Sequence, residues 1–210
     1  MKKRFVLLLG LIVFTQGYGQ LIEGLSQVSP QREGMSAVEK DGQWAFVNSE
    51  GQMVIDFRDD LVLQPSKHQL LQNLQKESAD YPRFQDGLCM IQQTKDGIQY
   101  FGFIDQKGKT VIEPIYINAT LFSKGRAIVS QYSKKVIGQN KLLGKDVITH
   151  QVEDLLIDRN GKVISTLFNA RNFVPDKLKS EGPPPIKAVI LSENLVGVQE
   201  EDSKWSIYEF

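Results

Sequence analysis

The sequence has one cysteine, Cys89, and two histidines, His68 and His150, in 210 residues. A single thiol can close no disulfide within the chain, so stability has to come from packing and strand pairing. Cys89 lies in the run Leu88-Cys89-Met90-Ile91 and reads as a small buried hydrophobe rather than a reactive thiol. Neither histidine stands near a cysteine or a spaced pair of carboxylates, so there is no zinc cluster and no base beside a nucleophile. Charge of one sign is also missing: 25 Lys and Arg face 25 Asp and Glu, with no basic stripe. Nucleic-acid binding therefore has no electrostatic footing. No apolar run reaches the roughly 20 residues of a membrane-spanning helix. Phosphate-cradling glycine loops and nucleophile elbows are absent as well. The chain reads as a non-enzyme, with no catalytic residue, no metal and no cofactor expected.

What is present begins with an address. Lys2, Lys3 and Arg4 precede an apolar stretch from Phe5 to Phe14, and Gly17-Tyr18-Gly19 puts small residues before Gln20. Residues 1–19 read as a signal peptide cleaved near Gly19-Gln20, which makes the remainder secreted or periplasmic. No cysteine follows the apolar stretch for lipid attachment. Cleavage removes three positive charges and leaves the remainder mildly acidic. Its apolar content is ordinary, and residues 20–210 are long enough to bury one core or a string of small ones.

Repetition organises those residues. Phe46-Val47-Asn48-Ser49-Glu50-Gly51 matches Phe103-Ile104-Asp105-Gln106-Lys107-Gly108 and Leu156-Ile157-Asp158-Arg159-Asn160-Gly161. Asn or Asp caps a turn with its side chain, and Gly supplies the left-handed backbone that closes a short loop. Apolar residues resume each time: Met53-Val54-Ile55, Thr110-Val111-Ile112 and Val163-Ile164. These are three copies of one β-hairpin. Glycine placement in Asp158-Arg159-Asn160-Gly161 needs no calcium, because too few oxygens converge there. A second piece precedes each hairpin, around Gly34, Gly87 and Gly125, and returns near residues 192–198 with Asn194 in the glycine position, where positive φ is expected. Units are expected at about 31–83, 84–121 and 122–191, with a half unit at 192–210.

The best-formed stretch runs Phe101-Gly102-Phe103-Ile104-Asp105, Gly108-Lys109, Val111-Ile112, Pro114, Tyr116, Ala119, Phe122-Ser123, Gly125 and Ala127. It resembles the WG-repeat family, and the leader suggests a secreted bacterial member. The resemblance covers roughly residues 31–210, clear in the centre and eroded elsewhere. Ala45 and Ser206 replace the repeat's glycine, and Asp154 its aromatic residue. What the resemblance implies is an all-β scaffold without catalytic residues.

Three insertions interrupt the units. Residues 66–76 read as a short amphipathic helix, with Ser66 as N-cap and Leu70, Leu71 and Leu74 on one face. Residues 131–153 read as an extended hairpin with Gly138 and Gly144 near its tip. Residues 169–186 contain Pro183-Pro184-Pro185 and read as a stiff connector. The expected architecture is an all-β array of antiparallel hairpin repeats, with a small closed barrel as the alternative.

Repeat arrays bind through extended surfaces, and insertions commonly emerge on the binding face. The expected role is a non-catalytic extracytoplasmic scaffold that binds a protein or cell-envelope component through 61–83, 131–153 and 169–186. A carbohydrate-binding module is the alternative. Its candidate ligand residues are Trp44, Phe101 and Trp205, which recur at one place in the unit. Each stands two residues before an apolar partner on the same strand face, so mutual packing of the units competes with ligand binding for them. Asn118-Ala119-Thr120 matches a glycosylation acceptor by spelling alone.

Overall fold

The structure is a computed structural model that describes residues 21–64, 80–173 and 181–210. Among the described residues thirteen strands form three antiparallel sheets, and none of these residues is helical. The first sheet takes β1 (Gln27–Val28), β2 (Ser36–Lys40), β3 (Gln43–Val47) and β4 (Met53–Arg58) in chain order. The six-stranded sheet holds β5 (Leu88–Lys95), β6 (Ile98–Asp105), β7 (Thr110–Ala119), β8 (Arg126–Asn140), β9 (Lys145–Asp158) and β10 (Val163–Asn172), also in order. The third comprises β11 (Ala188–Ile190), β12 (Leu195–Gln199) and β13 (Trp205–Glu209). The chain is therefore an array of antiparallel hairpins with insertions, and its described sheets are open, not closed into a barrel. The predicted helix at 66–76, the leader at 1–19 and residues 174–180 of the third insertion lie outside the described residues.

Each of the first three units performs the same steps. A two-residue turn with both φ angles positive comes first: Glu33-Gly34, Asp86-Gly87 and Lys124-Gly125. Its flanking residues exchange backbone hydrogen bonds, as in Gln85 with Leu88 at 2.9 and 3.2 Å. Two strands follow, and then the predicted capped turn. In it, Asn48, Asp105 and Asp158 each accept two backbone N–H groups on Oδ1, at 2.8–3.1 Å. Gly51, Gly108 and Gly161 close these turns with φ of 76 to 79°. Two tighter hairpin turns, Asp41-Gly42 and Asp96-Gly97, join β2 to β3 and β5 to β6. Asp-Gly between alternating apolar runs is a strong hairpin signal that the repeat alignment passed over.

The fourth turn corrects an expectation. Asn194 does not take the positive φ predicted from its place opposite the glycines. The N–H groups of Leu191 and Ser192 both donate to the Leu195 carbonyl, a wider turn that needs no left-handed residue.

Successive units lock in register. The Glu33 carboxylate accepts the Asp86 and Gly87 N–H groups, each at 2.8 Å, and Asp86 Oδ2 accepts the Gly125 N–H at 2.7 Å. The first turn thus presents an anion to both amides of the second, and the second an anion to the glycine amide of the third. Lys124 ends this relay, because its side chain offers no acceptor. On the other side, Ile55 lies against Gly108 and Ile112 against Gly161, so the apolar residue of one hairpin covers the turn glycine of the next.

Aromatic residues fix the core. Phe46 meets Phe84 edge-on with centroids 4.8 Å apart, and Phe103 meets Phe122 likewise at 4.8 Å. The first pair lies in a cluster shared by the first two sheets, with Trp44, Ile55, Tyr81, Cys89 and Ile104. The second pair gathers Leu88, Met90, Ile112, Val129, Leu155 and Ile157 from four strands of the large sheet. Cys89 is buried, and desolvation pushes its thiol up to about 12, which keeps it protonated and inert.

Candidate functional site

Two surface features stand apart from the scaffold. The first is the 131–153 insertion, which forms an extended hairpin as its pattern predicted. β8 and β9 pair from Arg126↔Asp158 out to Asn140↔Lys145, with a register shift between Val136 and Gly138. Neighbouring strands leave early: β7 pairs with β8 as far as Gln131, and β10 with β9 as far as Gln151. Beyond them, among the described residues, β8 and β9 continue as a two-stranded arm. At its base Tyr132 and His150 stack with rings 5.7 Å apart, and the Tyr132 hydroxyl lies 2.5 Å from His150 Nδ1. Burial raises the Tyr132 pKa above its ordinary value.

The distal arm is unusually apolar for an exposed ribbon. Val136, Ile137, Leu142, Leu143, Val147 and Ile148 are all exposed, Leu142 at 97% and Leu143 at 68%. Isolated exposed apolar residues need no explanation, but six within thirteen positions form a concentrated apolar surface. A two-stranded ribbon also cannot bury its own side chains.

The second feature is a cleft of about 900 Å³ between β10 and the β12–β13 hairpin. Phe168, Arg171, Lys187, Glu200, Asp202 and Trp205 are among its lining residues. Arg171 donates to Asp154 Oδ2 at 2.7 Å, and its guanidinium stands 5.5 Å from the Phe168 ring centre. Asp154 is fully buried and its second oxygen accepts the Ser130 hydroxyl at 2.6 Å. The aromatic position of the third unit is thus filled by a hydrogen-bonded carboxylate that orients Arg171 at the cleft. At the hairpin tip Lys204 pairs with Asp202 at 2.7 Å and holds that carboxyl below its usual range.

The three candidate aromatic residues are not brought together. Trp44 is 7% exposed and belongs to the core shared by the first two sheets. Phe101 is partly buried against the core of the large sheet. Trp205 is 55% exposed and lines the cleft. Of the other residues weighed in the sequence, His150 serves the base of the arm, and His68 falls outside the described residues. Asn118 donates to the Pro184 carbonyl at 3.1 Å, and the Thr120 hydroxyl accepts the Ile128 N–H at 3.0 Å. What the sequence reading missed was the Ser130–Asp154–Arg171 chain. Its sole signal was an acidic residue at a core aromatic position.

Among the described residues no group of three or more His, Cys, Asp or Glu side chains is placed to hold a metal ion, and no helix is long and apolar enough to cross a membrane.

This architecture defines a class: an open array of antiparallel β-hairpin units joined by capped turns. Residues 101–134 match the model of the WG containing repeat, so the chain carries a WG repeat in its central unit. That span runs from Phe101 through β7 to the base of the arm. No curated protein and no solved structure matches the chain.

Proposed function

We propose that the chain is a non-catalytic extracytoplasmic repeat scaffold that binds a protein or cell-envelope component through the β8–β9 arm. The observation that carries this is the arm's exposed apolar surface, six large apolar residues within thirteen positions of a ribbon that extends past the paired strands of the large sheet. The extracytoplasmic address rests on the leader pattern at 1–19, and the non-catalytic reading on the missing site chemistry of the sequence. A direct test replaces Val136–Ile148 by an Asn-Gly turn, which leaves the paired base of the hairpin in place. Crosslinked pull-down from envelope extract should capture partners with the full chain and lose them with the shortened one. Undiminished capture by the shortened chain would refute the arm as the binding surface.

A second reading is a carbohydrate-binding module, favoured by Trp205 in the cleft beside Arg171 and the hairpin carboxylates. An exposed indole flanked by charged hydrogen-bonding groups suits a sugar ring. The two tryptophans make this easy to read. Acrylamide should quench Trp205 and spare Trp44, and Trp205→Phe should remove most of the quenchable emission. A glycan bound in the cleft should then protect Trp205 from acrylamide. If no member of a broad glycan panel does so, this reading is lost.

A further inference from the structure

We infer that the distal arm docks on an anionic lipid surface, with Leu142 and Leu143 entering the boundary between headgroups and acyl chains. This deepens the scaffold reading and rests on it, since it names the partner of the same arm.

The first argument is the distribution of apolar groups. Val136 pairs with Ile148, so these side chains share one face of the ribbon. Val147, opposite Gly138, lies on the other face, and Leu142 and Leu143 sit at the turn between the strands. A protein sheet or groove covers one face of a ribbon. A lipid interface can receive apolar side chains from both faces and from the turn at once.

The second argument is charge. Residues 132–150 hold Lys134, Lys135, Lys141 and Lys145 against Asp146 alone, in a chain whose 25 basic and 25 acidic residues balance. The arm therefore carries a net positive charge, four lysines against one aspartate, and the remainder of the chain a net negative one, 21 basic against 24 acidic residues. Lys141 and Lys145 bracket the two leucines. Lys134 and Lys135, as neighbours in a strand, point to opposite faces behind the apolar zone. Each lysine near an anionic leaflet favours binding by about fivefold. Leucines ahead and lysines behind is the order that an interfacial anchor requires.

The third argument limits depth. Among the described residues, no third strand pairs with the ribbon between Ser133 and Thr149. Its edge N–H and C=O groups would be unsatisfied in hydrocarbon, so the tip enters the interface and stops there. The arm is an anchor on a surface and does not span it.

Co-sedimentation of the full chain with vesicles tests this. Vesicles of equal parts phosphatidylglycerol and phosphatidylcholine should bind it about tenfold or more better than pure phosphatidylcholine, and added salt should erase the difference. Leu142→Ser with Leu143→Ser should weaken binding to the mixed vesicles about tenfold. Lys141→Glu with Lys145→Glu should abolish the preference for them. All four positions are exposed at the arm's end, so an unchanged melting temperature confirms that each variant is folded. Equal binding to both vesicle types, or binding unaffected by either double variant, overturns the inference. If vesicles fail to bind while the Asn-Gly replacement still removes a crosslinked protein partner, the lipid inference falls and the scaffold reading stands. If the replacement changes neither vesicle nor partner binding, both fall.

Discussion

Phe103→Ala should destabilise the chain by about 3–5 kcal/mol, lowering its melting temperature by roughly 10 °C. The side chain is fully buried, and its ring meets Phe122 edge-on. Truncation removes that contact and opens a cavity in the cluster that also holds Leu88, Met90, Ile112, Val129 and Leu155. These residues come from β5, β7, β8 and β9, so the cavity falls between two successive units. Stability of a repeat array is approximately a sum of unit and interface contributions, and this substitution damages both. Phe103→Leu keeps most of the volume and should cost about 1.5 kcal/mol or less. Trp205→Ala, on an exposed strand, should change stability by under about 0.5 kcal/mol. Urea midpoints of the three variants give the comparison. A Phe103→Ala midpoint close to that of the native chain would show that the two units do not share this core.

The contrast between Phe103 and Trp205 also marks what the sequence could disclose. Turn chemistry is local, so Asn48, Asp105 and Asp158 announced their hairpins without knowledge of the fold. The long arm was legible for the same reason, because Gly138 and Gly144 mark a tip midway through residues 131–153. Burial of an aromatic residue is a different matter, since it depends on what arrives from elsewhere. Trp44 and Trp205 occupy equivalent places in their units. Trp44 pairs with Arg58 of β4 and lies in the cluster with Leu61 and Tyr81, whereas β13 has no strand paired on its other edge among the described residues. Nothing within either tryptophan's own strand distinguishes the two. The relay from Glu33 to Asp86 to Gly125 was hidden likewise, because it joins residues 39 and more positions apart. Asp154 was visible as a departure from the repeat, but its partner Arg171 lies across a bulged strand pair that no spacing rule identifies.

Gly102→Ala should cost about 3 kcal/mol, although Gly102 has no positive φ and sits in mid-strand. A Cβ there would collide with the Ile112 carbonyl oxygen and stand 2.7 Å from the Glu113 carbonyl carbon and the Pro114 nitrogen. The cause is visible in the strand registers. Phe101 and Phe103 of β6 pair with Tyr116 and Ile112 of β7, so two extra residues are accommodated opposite Gly102, and Pro114 lies in that bulge. In the first unit Trp44 and Phe46 pair with Arg58 and Ile55, which leaves one extra residue, and the facing position is Ala45. In the third, Asp154 and Leu156 pair with Phe168 and Ser165, again with one extra residue, and the position is Leu155. Side chains are thus accepted where the bulge is small, and glycine stands where the facing backbone crosses closest. Since backbone cannot swing aside as a side chain can, alanine at 102 must displace β7 or break its pairing. Ala45→Gly, the reverse change at the equivalent place, should cost only about 1 kcal/mol through added freedom of the unfolded chain. Thermal melts of both variants decide the matter. Similar small losses for both would mean that the bulge yields, and that Gly102 answers to some need other than the close approach of β7.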